Sequence, residues 1–403
     1  MPTGLWPSQG RITNGKSYRF SVDKCVAFET RGHELAPMKL ILVLFSLALA
    51  VHAQDAAPSP AAAKADGKVA FAIRAPESKD VKLRGQWSKE PIAMTKGEKG
   101  DWTVTIEKVP AGVWEYSYGV DGLNVMDPKN PSFKPQREPG KSILHVPSEP
   151  PAPWDWQDVP HGTVHQHGYL SKVLGRPREG VVYTPPGYEK DSAKKYPLLV
   201  LQHGSGDNQR TWVEHGKAHW IFDNLIAAGK AQPMVVMMLD GHPYGMVGRE
   251  ATDTKRVSAQ EAFERELLDD AIPLVESIYR VEKDPANRAI AGLSMGGAQS
   301  LSVGLMNLDR FAWVIAMSAG PPSAQRLEKF LADPAAANAK LKLLWIGVGK
   351  NDFLLQRSEQ LTASLKEKGI KHEWRLTEGD HSWPVWRGYL AEVAPLLFAK
   401  TAH

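Results

Sequence analysis

Ser294 lies in the run Gly292-Leu293-Ser294-Met295-Gly296. An apolar stretch, Arg288-Ala289-Ile290-Ala291, precedes it and a small-residue run, Gly297-Ala298-Gln299-Ser300-Leu301, follows it. Strand, sharp turn and helix in that order make G-x-S-x-G a nucleophile elbow. The glycines two before and two after the serine are there for steric reasons, because side chains would collide with the neighbouring strand and helix. Such a turn lifts the Ser294 hydroxyl above the sheet edge and aims the Met295 N–H at whatever that oxygen attacks. A serine hydroxyl is a poor nucleophile near neutral pH. It needs an adjacent base, and the base needs an orienting acid.

Both partners follow downstream. Leu343-Leu344-Trp345-Ile346-Gly347-Val348 reads as a buried strand that ends in a glycine-containing turn carrying Asp352. An amphipathic helix is expected over about 354–368. A strand over 372–376 then runs into Thr377-Glu378-Gly379-Asp380-His381. His381 follows a strand end and a glycine, as a loop-borne general base should. The order Ser, Asp, His is that of α/β-hydrolases. Asp380 competes for the role of acid, but adjacent residues rarely orient each other's side chains this way, which favours Asp352. His372 opens its strand and so falls at the wrong end of the sheet. Upstream, Leu198-Leu199-Val200-Leu201 ends in Gln202-His203-Gly204-Ser205-Gly206. This H-G-x-G turn is the expected source of a second oxyanion-hole N–H, with Ser205 as donor beside Met295.

Together with Gly180-Val181-Val182-Tyr183-Thr184-Pro185-Pro186-Gly187-Tyr188, Asp223-Asn224-Leu225-Ile226-Ala227, Asn351-Asp352-Phe353 and His381-Ser382-Trp383-Pro384, these motifs resemble the esterase D-like group of α/β-hydrolases. Within it the chain is similar to the bacterial feruloyl and acetylxylan esterases of carbohydrate esterase family 1. The resemblance spans about 160–400. It implies a Ser–Asp–His serine esterase that uses no metal or cofactor. Ser294 would be the nucleophile, Asp352 the acid, His381 the base, and Ser205 and Met295 the oxyanion donors. Enterochelin esterases and mycolyltransferases share the wider fold, so the resemblance bears on chemistry more than on substrate.

Positioning these residues takes a mostly parallel, doubly wound sheet over 161–403, with strands near 180–184, 197–202, 233–239, 288–293, 312–318, 342–348 and 372–377. Helices are expected near 218–229, 260–278, 296–307, 354–368 and 388–399. Before it, 69–146 reads as short alternating strands, an Ig-like sandwich pattern. That segment resembles the early-set domains akin to carbohydrate-binding family 48, although Gly85-Gln86-Trp87-Ser88 stands where that family has Gly-Asp-Trp-Asn. Trp87, Trp102 and Trp114 are read as its core. Residues 147–160 form a proline-rich linker, semi-rigid by composition.

The first 68 residues read differently. Met38-Lys39 followed by the 12-residue apolar run Leu40–Val51 and by Val51-His52-Ala53 has the form of a signal peptide, 38–53, with Gln54 as the first mature residue. Residues 1–37 are then an upstream extension, and 54–68 an Ala/Pro-rich disordered stretch. The single cysteine, Cys25, belongs to the extension, so the mature chain is expected to lack thiols and disulfides. Residues 1–53 carry six Lys/Arg and three Asp/Glu, and without them the net charge drops from +4 to +1. That balance gives no argument for nucleic acid or for an anionic membrane surface. The expected location is secreted or periplasmic in a bacterium, with no membrane association after cleavage.

The function expected from sequence is hydrolysis of feruloyl or acetyl esters on plant cell-wall polysaccharide or oligosaccharide, and of small acyl esters. Other small-ester or siderophore hydrolysis is the alternative within the enzyme class. A carbohydrate-binding protein with an inactive hydrolase domain is the alternative outside it. Trp212, Trp383 and His242 are candidate substrate contacts, the two tryptophans as loop aromatics flanking a planar acyl group. His161, His165 and His167 invite a metal reading, but no carboxylate or cysteine completes a ligand set.

Overall fold

The structure is a computed structural model that describes residues 63, 66–245 and 257–399. The upstream extension, the signal peptide, Cys25 and most of 54–68 lie outside the described residues. Among the described residues no helix is long and apolar enough to cross a membrane.

Eight short strands come first: β1 (Val69–Arg74), β2 (Val81–Gly85), β3 (Ile92–Ala93), β4 (Thr95–Lys96), β5 (Asp101–Ile106), β6 (Gly112–Val120), β7 (Leu123–Val125) and β8 (Ser142–Val146). They pair antiparallel into two sheets. One has the order β1-β5-β4. The other runs β3-β2-β6-β7, and β8 pairs with the Gly112–Tyr116 end of β6. Alternation sets the inward face: Val69, Phe71 and Ile73 of β1 are buried while Ala70 and Arg74 are exposed. The two sheets share a core of Phe71, Leu83, Trp102, Tyr116, Tyr118 and Leu144. Trp87 stacks on Phe71 with centroids 5.7 Å apart. Trp87 and Trp114 are partly buried against this core.

The proline-rich stretch after β8 is tied down, more than composition alone suggests. The Asp155 carboxylate accepts the N–H groups of Ser148 (2.9 Å) and Ala152 (2.7 Å) and meets His145 Nε2 at 2.7 Å. Asn224 donates to the carbonyls of Pro153 and Asp155, both at 2.8 Å.

The second sheet has eight strands: β9 (Thr163–Ser171), β10 (Arg176–Thr184), β11 (Leu198–Gln202), β12 (Val235–Leu239), β13 (Arg288–Leu293), β14 (Trp313–Met317), β15 (Leu343–Gly349) and β16 (Glu373–Thr377). Their spatial order is β16-β15-β14-β13-β11-β12-β10-β9. Pairs from β12 to β16 are parallel, and β9 and β10 are antiparallel additions. Every residue of β11, β12, β13 and β14 is buried. Their continuous apolar runs follow from helices covering both faces.

Successive residues serve opposite layers. Val200 joins the core under α3 (Ala259–Arg265), α4 (Ile272–Ile278) and α8 (Leu355–Glu367). Leu199 and Leu201 join the core under α2 (Ala218–Ala227) and α9 (Trp383–Val393). A one-turn α1 (Thr211–Glu214) precedes α2, and α5 (Met295–Gly304) leaves the elbow.

In the hydrolase region three elements longer than one turn escaped the sequence reading. β9 is an edge strand whose half-buried face carries His165, His167 and Tyr169 while Val164 and Leu170 are exposed, so its burial alternates without an apolar alternation to announce it. The short helices α6 (Ala324–Leu331) and α7 (Pro334–Lys340) are largely exposed, with Phe330 and Ala337 their only buried residues. The last helix also starts earlier than expected. Pro384 occupies its first turn, where a missing N–H costs nothing, so Trp383 begins the helix and does not sit in a loop.

Candidate active site

The elbow shows why its glycines are obligatory. A Cβ on Gly292 would come within 2.4 Å of the Gly296 carbonyl carbon and oxygen. A Cβ on Gly296 would lie 2.4 Å from the His203 carbonyl oxygen. Without them α5 can press directly on the turn after β11. Ser294 has φ 52° and ψ −117°, a backbone conformation L-residues rarely hold. Its N–H donates to Met317 O at 2.8 Å and its carbonyl accepts from Ala298 N–H at 3.0 Å, which fixes the strained turn from both sides.

Three side chains from three loops then form one hydrogen-bonded line. Ser294 Oγ lies 2.9 Å from His381 Nε2. His381 Nδ1 lies 3.0 and 2.9 Å from the two Asp352 oxygens. Asp352 also accepts the Leu354 N–H at 2.8 Å. Burial raises the Asp352 carboxyl, but hydrogen bonds from His381, the Leu354 N–H and Ser318 outweigh it and hold its pKa below the usual carboxylate range. The side chain is therefore an acceptor near neutral pH. The sequence rival Asp380 bonds instead to the Ser382 hydroxyl. His381 is packed between Phe353, at 4.3 Å between ring centroids, and Trp386, edge-on at 4.9 Å.

The turn after β11 faces this line. A Cβ on Gly204 would lie 3.5 Å from Ser294 Cβ, so the backbone of 204–206 passes beside the serine. Ser205 and Met295 both line a cleft of about 430 Å³ with Gly206, Gly241, His242 and Gln299. Among the described residues neither the Ser205 nor the Met295 N–H has a protein acceptor. Met295 opens α5, where such N–H groups are unpaired by construction.

Beneath the turn, His203 Nδ1 meets Gly204 O at 2.8 Å and its Nε2 accepts the Gly241 N–H at 2.9 Å. His242 stacks on His203 at 5.4 Å; its Nε2 accepts the Gly206 N–H at 3.3 Å and its Nδ1 meets Asp240 Oδ1 at 3.1 Å. Burial raises the Asp240 carboxyl, but the adjacent His203 and His242 rings and the charge of Arg178 hold it far below normal. Arg178 in turn grips the fully buried Glu266 at 2.7 and 3.2 Å. His203, Asp240 and His242 are close enough to share an ion. Their donor atoms are already engaged by backbone groups and by two guanidiniums, so the trio does not fit a cation and reads as support for the turn.

Two sequence-derived contacts need correction. Trp212 and Trp383 are only 1% and 2% exposed, pack edge-on at 4.9 Å and belong to the core under α2 and α9. The Trp212 indole N–H donates to Gln202 O at 2.9 Å. Neither offers a ring face to a substrate. Trp212 lies in α1 and Trp383 opens α9, which starts earlier than expected, and both helices turn these residues inward. His242 does line the cleft. The exposed aromatic against His381 is Phe353, 74% exposed and directly after Asp352 in sequence. His165 and His167 share a face of β9, as their spacing requires, and pack on Tyr279, whose hydroxyl meets His167 Nε2 at 2.6 Å. His161 bonds the buried Asp223 at 2.9 Å.

Sheet order, elbow and side-chain line together define an α/β-hydrolase-like esterase fold. Residues 171–397 match the esterase family described as "Putative esterase", and the chain belongs to that family. Membership of that family makes it an esterase, a carboxylic ester hydrolase. It is 30% identical over 344 residues to the endo-1,4-beta-xylanase/feruloyl esterase of Xylanibacter ruminicola, an alignment covering 83% of this chain and 45% of the relative. It is 24% identical over 282 residues to the iron(III) enterobactin esterase of Escherichia coli, covering 66% of each. The chain thus spans under half of the first relative's length and about two thirds of the second's. Among solved structures, a ferulic acid esterase aligns with TM-score 0.53 and 27% identity over 59% of this chain and 99% of its own. The enterobactin esterase of Shigella flexneri aligns with TM-score 0.59 and 19% identity, over 82% of this chain and 93% of its own, a likeness of fold.

Proposed function

We propose that this esterase works through Ser294, His381 and Asp352 and cleaves feruloyl or acetyl esters on plant cell-wall polysaccharide. The observation that carries the reading is the continuous hydrogen-bonded line Ser294–His381–Asp352. Ser294 Oγ attacks the ester carbonyl while His381 Nε2 takes its proton. Asp352 holds the His381 tautomer and steadies the imidazolium that forms. The N–H groups of Ser205 and Met295 receive the tetrahedral oxyanion, and their lack of protein acceptors suits that task. His381 then protonates the leaving alkoxide. Water, activated by the same ring, hydrolyses the acyl-enzyme and frees Ser294.

Feruloyl specificity draws support from the feruloyl esterase relatives and from Phe353, an exposed ring at the site's edge. Export through a signal peptide at 38–53, and an early-set identity for the module of β1 to β8, belong to the same reading. A siderophore-ester activity is the second reading, favoured by the enterobactin esterase structure, which aligns over more of the chain than the ferulic acid esterase structure does. The test compares kcat/KM for methyl ferulate, an acetylated xylo-oligosaccharide, a nitrophenyl acetate and a 2,3-dihydroxybenzoylserine ester, with Ser294→Ala as control. Ferulate should lead, and Ser294→Ala should lower kcat by about 10⁴–10⁶ with folding intact. A chain that cleaves only the catechol ester would replace the polysaccharide reading with the siderophore one.

A further inference from the structure

The module of β1 to β8 sends an arm into the site. Residues 132–137 leave β7 and first pair back on the module: Ile143 N–H donates to Ser132 O at 2.9 Å, and Lys134 N–H to Lys141 O at 3.0 Å. The far end of the arm pairs with the oxyanion turn. Gln136 bridges Asp207, and Arg137 N–H donates to Gly206 O at 3.0 Å. Pro135 O accepts the Thr211 hydroxyl at 2.6 Å. Lys134 Nζ reaches Asp207 Oδ1 at 3.3 Å and Glu115 Oε1, on β6, at 3.1 Å. One buried lysine thus neutralises a carboxylate of the turn and a carboxylate of the module.

Arg137 acts on both sides of a single residue. Its backbone N–H holds the Gly206 carbonyl. Its guanidinium contacts Asp240 at 3.2 and 3.3 Å, Asp240 holds His242 Nδ1 at 3.1 Å, and His242 Nε2 accepts the Gly206 N–H at 3.3 Å. Gly206 has φ +86°, and since glycine adopts positive and negative φ about equally, the anchors on both sides of it fix the shape of the turn. Ser205, which lines the cleft and whose N–H has no protein acceptor among the described residues, is the residue immediately before it. Small displacements of an oxyanion donor weaken transition-state binding and leave ground-state binding largely alone.

We infer that Arg137 is a positioning residue for the oxyanion turn, so that the β-module completes the active site of the esterase. This rests on the proposed roles of Ser294 and Ser205. Removing the guanidinium leaves Asp240 and His242 held by one guanidinium, that of Arg178, and loosens one of the two grips on Gly206, while the backbone bond from residue 137 persists.

The test measures kcat and KM on nitrophenyl acetate, a substrate too small to reach the module, for the full chain and for Arg137→Gln and Arg137→Lys, each with a thermal melt. Arg137→Gln should lower kcat about tenfold or more with KM within about twofold, since a whole oxyanion donor is worth about 10²–10³ in kcat. The rate of serine modification by a nitrophenyl phosphonate, whose tetrahedral adduct needs the same donors, should fall in parallel. Arg137→Lys keeps the charge on Asp240 without the planar fork and should fall between. If Arg137→Gln does not fold, Arg137→Lys decides by the same two rates. A variant with the parent's kcat, or one whose loss merely tracks the unfolded fraction, would overturn the inference. A parent chain no faster than its Ser294→Ala variant would instead overturn the esterase roles beneath it.

Discussion

Asp352 and Asp380 are both one loop away from Ser294, yet only Asp352 has a geometry that can set the histidine. Both its oxygens face His381 Nδ1, whereas Asp380 turns to the Ser382 hydroxyl. Asp352→Asn replaces an acceptor by a group that can donate and so favours the wrong tautomer. It should cost about 10³–10⁴ in kcat. Asp380→Asn should stay within a few-fold of the parent, and equal damage from the two would reverse the assignment. Phe353 acts at the same scale. It is exposed and lies against the histidine, so a planar acyl group entering beside His381 meets its ring. Aromatic pairs contribute about 0.5–1.5 kcal/mol beyond buried area. Phe353→Ala should therefore lower kcat/KM for methyl ferulate by up to about tenfold and leave nitrophenyl acetate nearly unchanged. Equal losses on both substrates would mean that Phe353 packs the histidine and does not select the acyl group.

The elements that hold the chemistry differ in how openly the sequence announces them. The strands β11 and β13 are legible because burial on both faces forces unbroken apolar runs, and each ends in a glycine-bearing turn whose residues have a steric purpose. Gly296 is the sharpest case. Its missing side chain lets α5 sit against the His203 carbonyl, which couples the elbow to the oxyanion turn. Gly296→Ala has to push those two turns apart. It should destabilise the fold by about 1–3 kcal/mol, read by urea unfolding, and lower kcat more than KM. An alanine variant with parental stability and rate would show that the approach is looser than 2.4 Å implies. The positions of Trp212 and Trp383 were illegible for the opposite reason. Ser382-Trp383-Pro384 looks like a loop until Pro384 is seen as a first-turn proline. A tryptophan one residue earlier then becomes a buried helix start, and the aromatic of the site moves to Phe353. The supports Arg137, Asp240 and Lys134 carry no local motif. They come together only through pairing of segments about 70 to 100 residues apart, which a linear pattern does not encode.

At the scale of the whole molecule, the contact between module and hydrolase is charged and buried, which makes it sensitive to acid. Glu115 on β6 faces Lys134 on its own module and His215, fully buried, on the hydrolase. Asp207 and Arg387 complete the charges around this cluster. Burial raises the Glu115 carboxyl, but His215 and the Lys134 charge bring it down to about 2. Burial, with the nearby positive charge of Arg387, pushes the His215 imidazole down to about 3 against an opposing pull from Glu115. The buried His219 is likewise lowered to about 3, by burial and then by Lys217. The signs agree. A histidine lowered in the fold binds its proton first in the unfolded chain, so stability falls as pH drops from about 6.5 toward 3. A carboxylate lowered in the fold gives stability that is present above about 4.5 and lost as pH falls toward 2. Each buried histidine alone steepens the loss by about 1.4 kcal/mol per pH unit within its window. Urea unfolding at pH 7, 6 and 5 should therefore show a marked decline for the parent. His215→Gln cannot take up a proton in the unfolded chain, so its curve should be flatter by about that amount per unit below pH 6. Because the module and the hydrolase meet at this cluster, tryptophan fluorescence from the two should be lost together as the pH falls. Parallel slopes for parent and His215→Gln would mean that the acid sensitivity arises elsewhere in the chain.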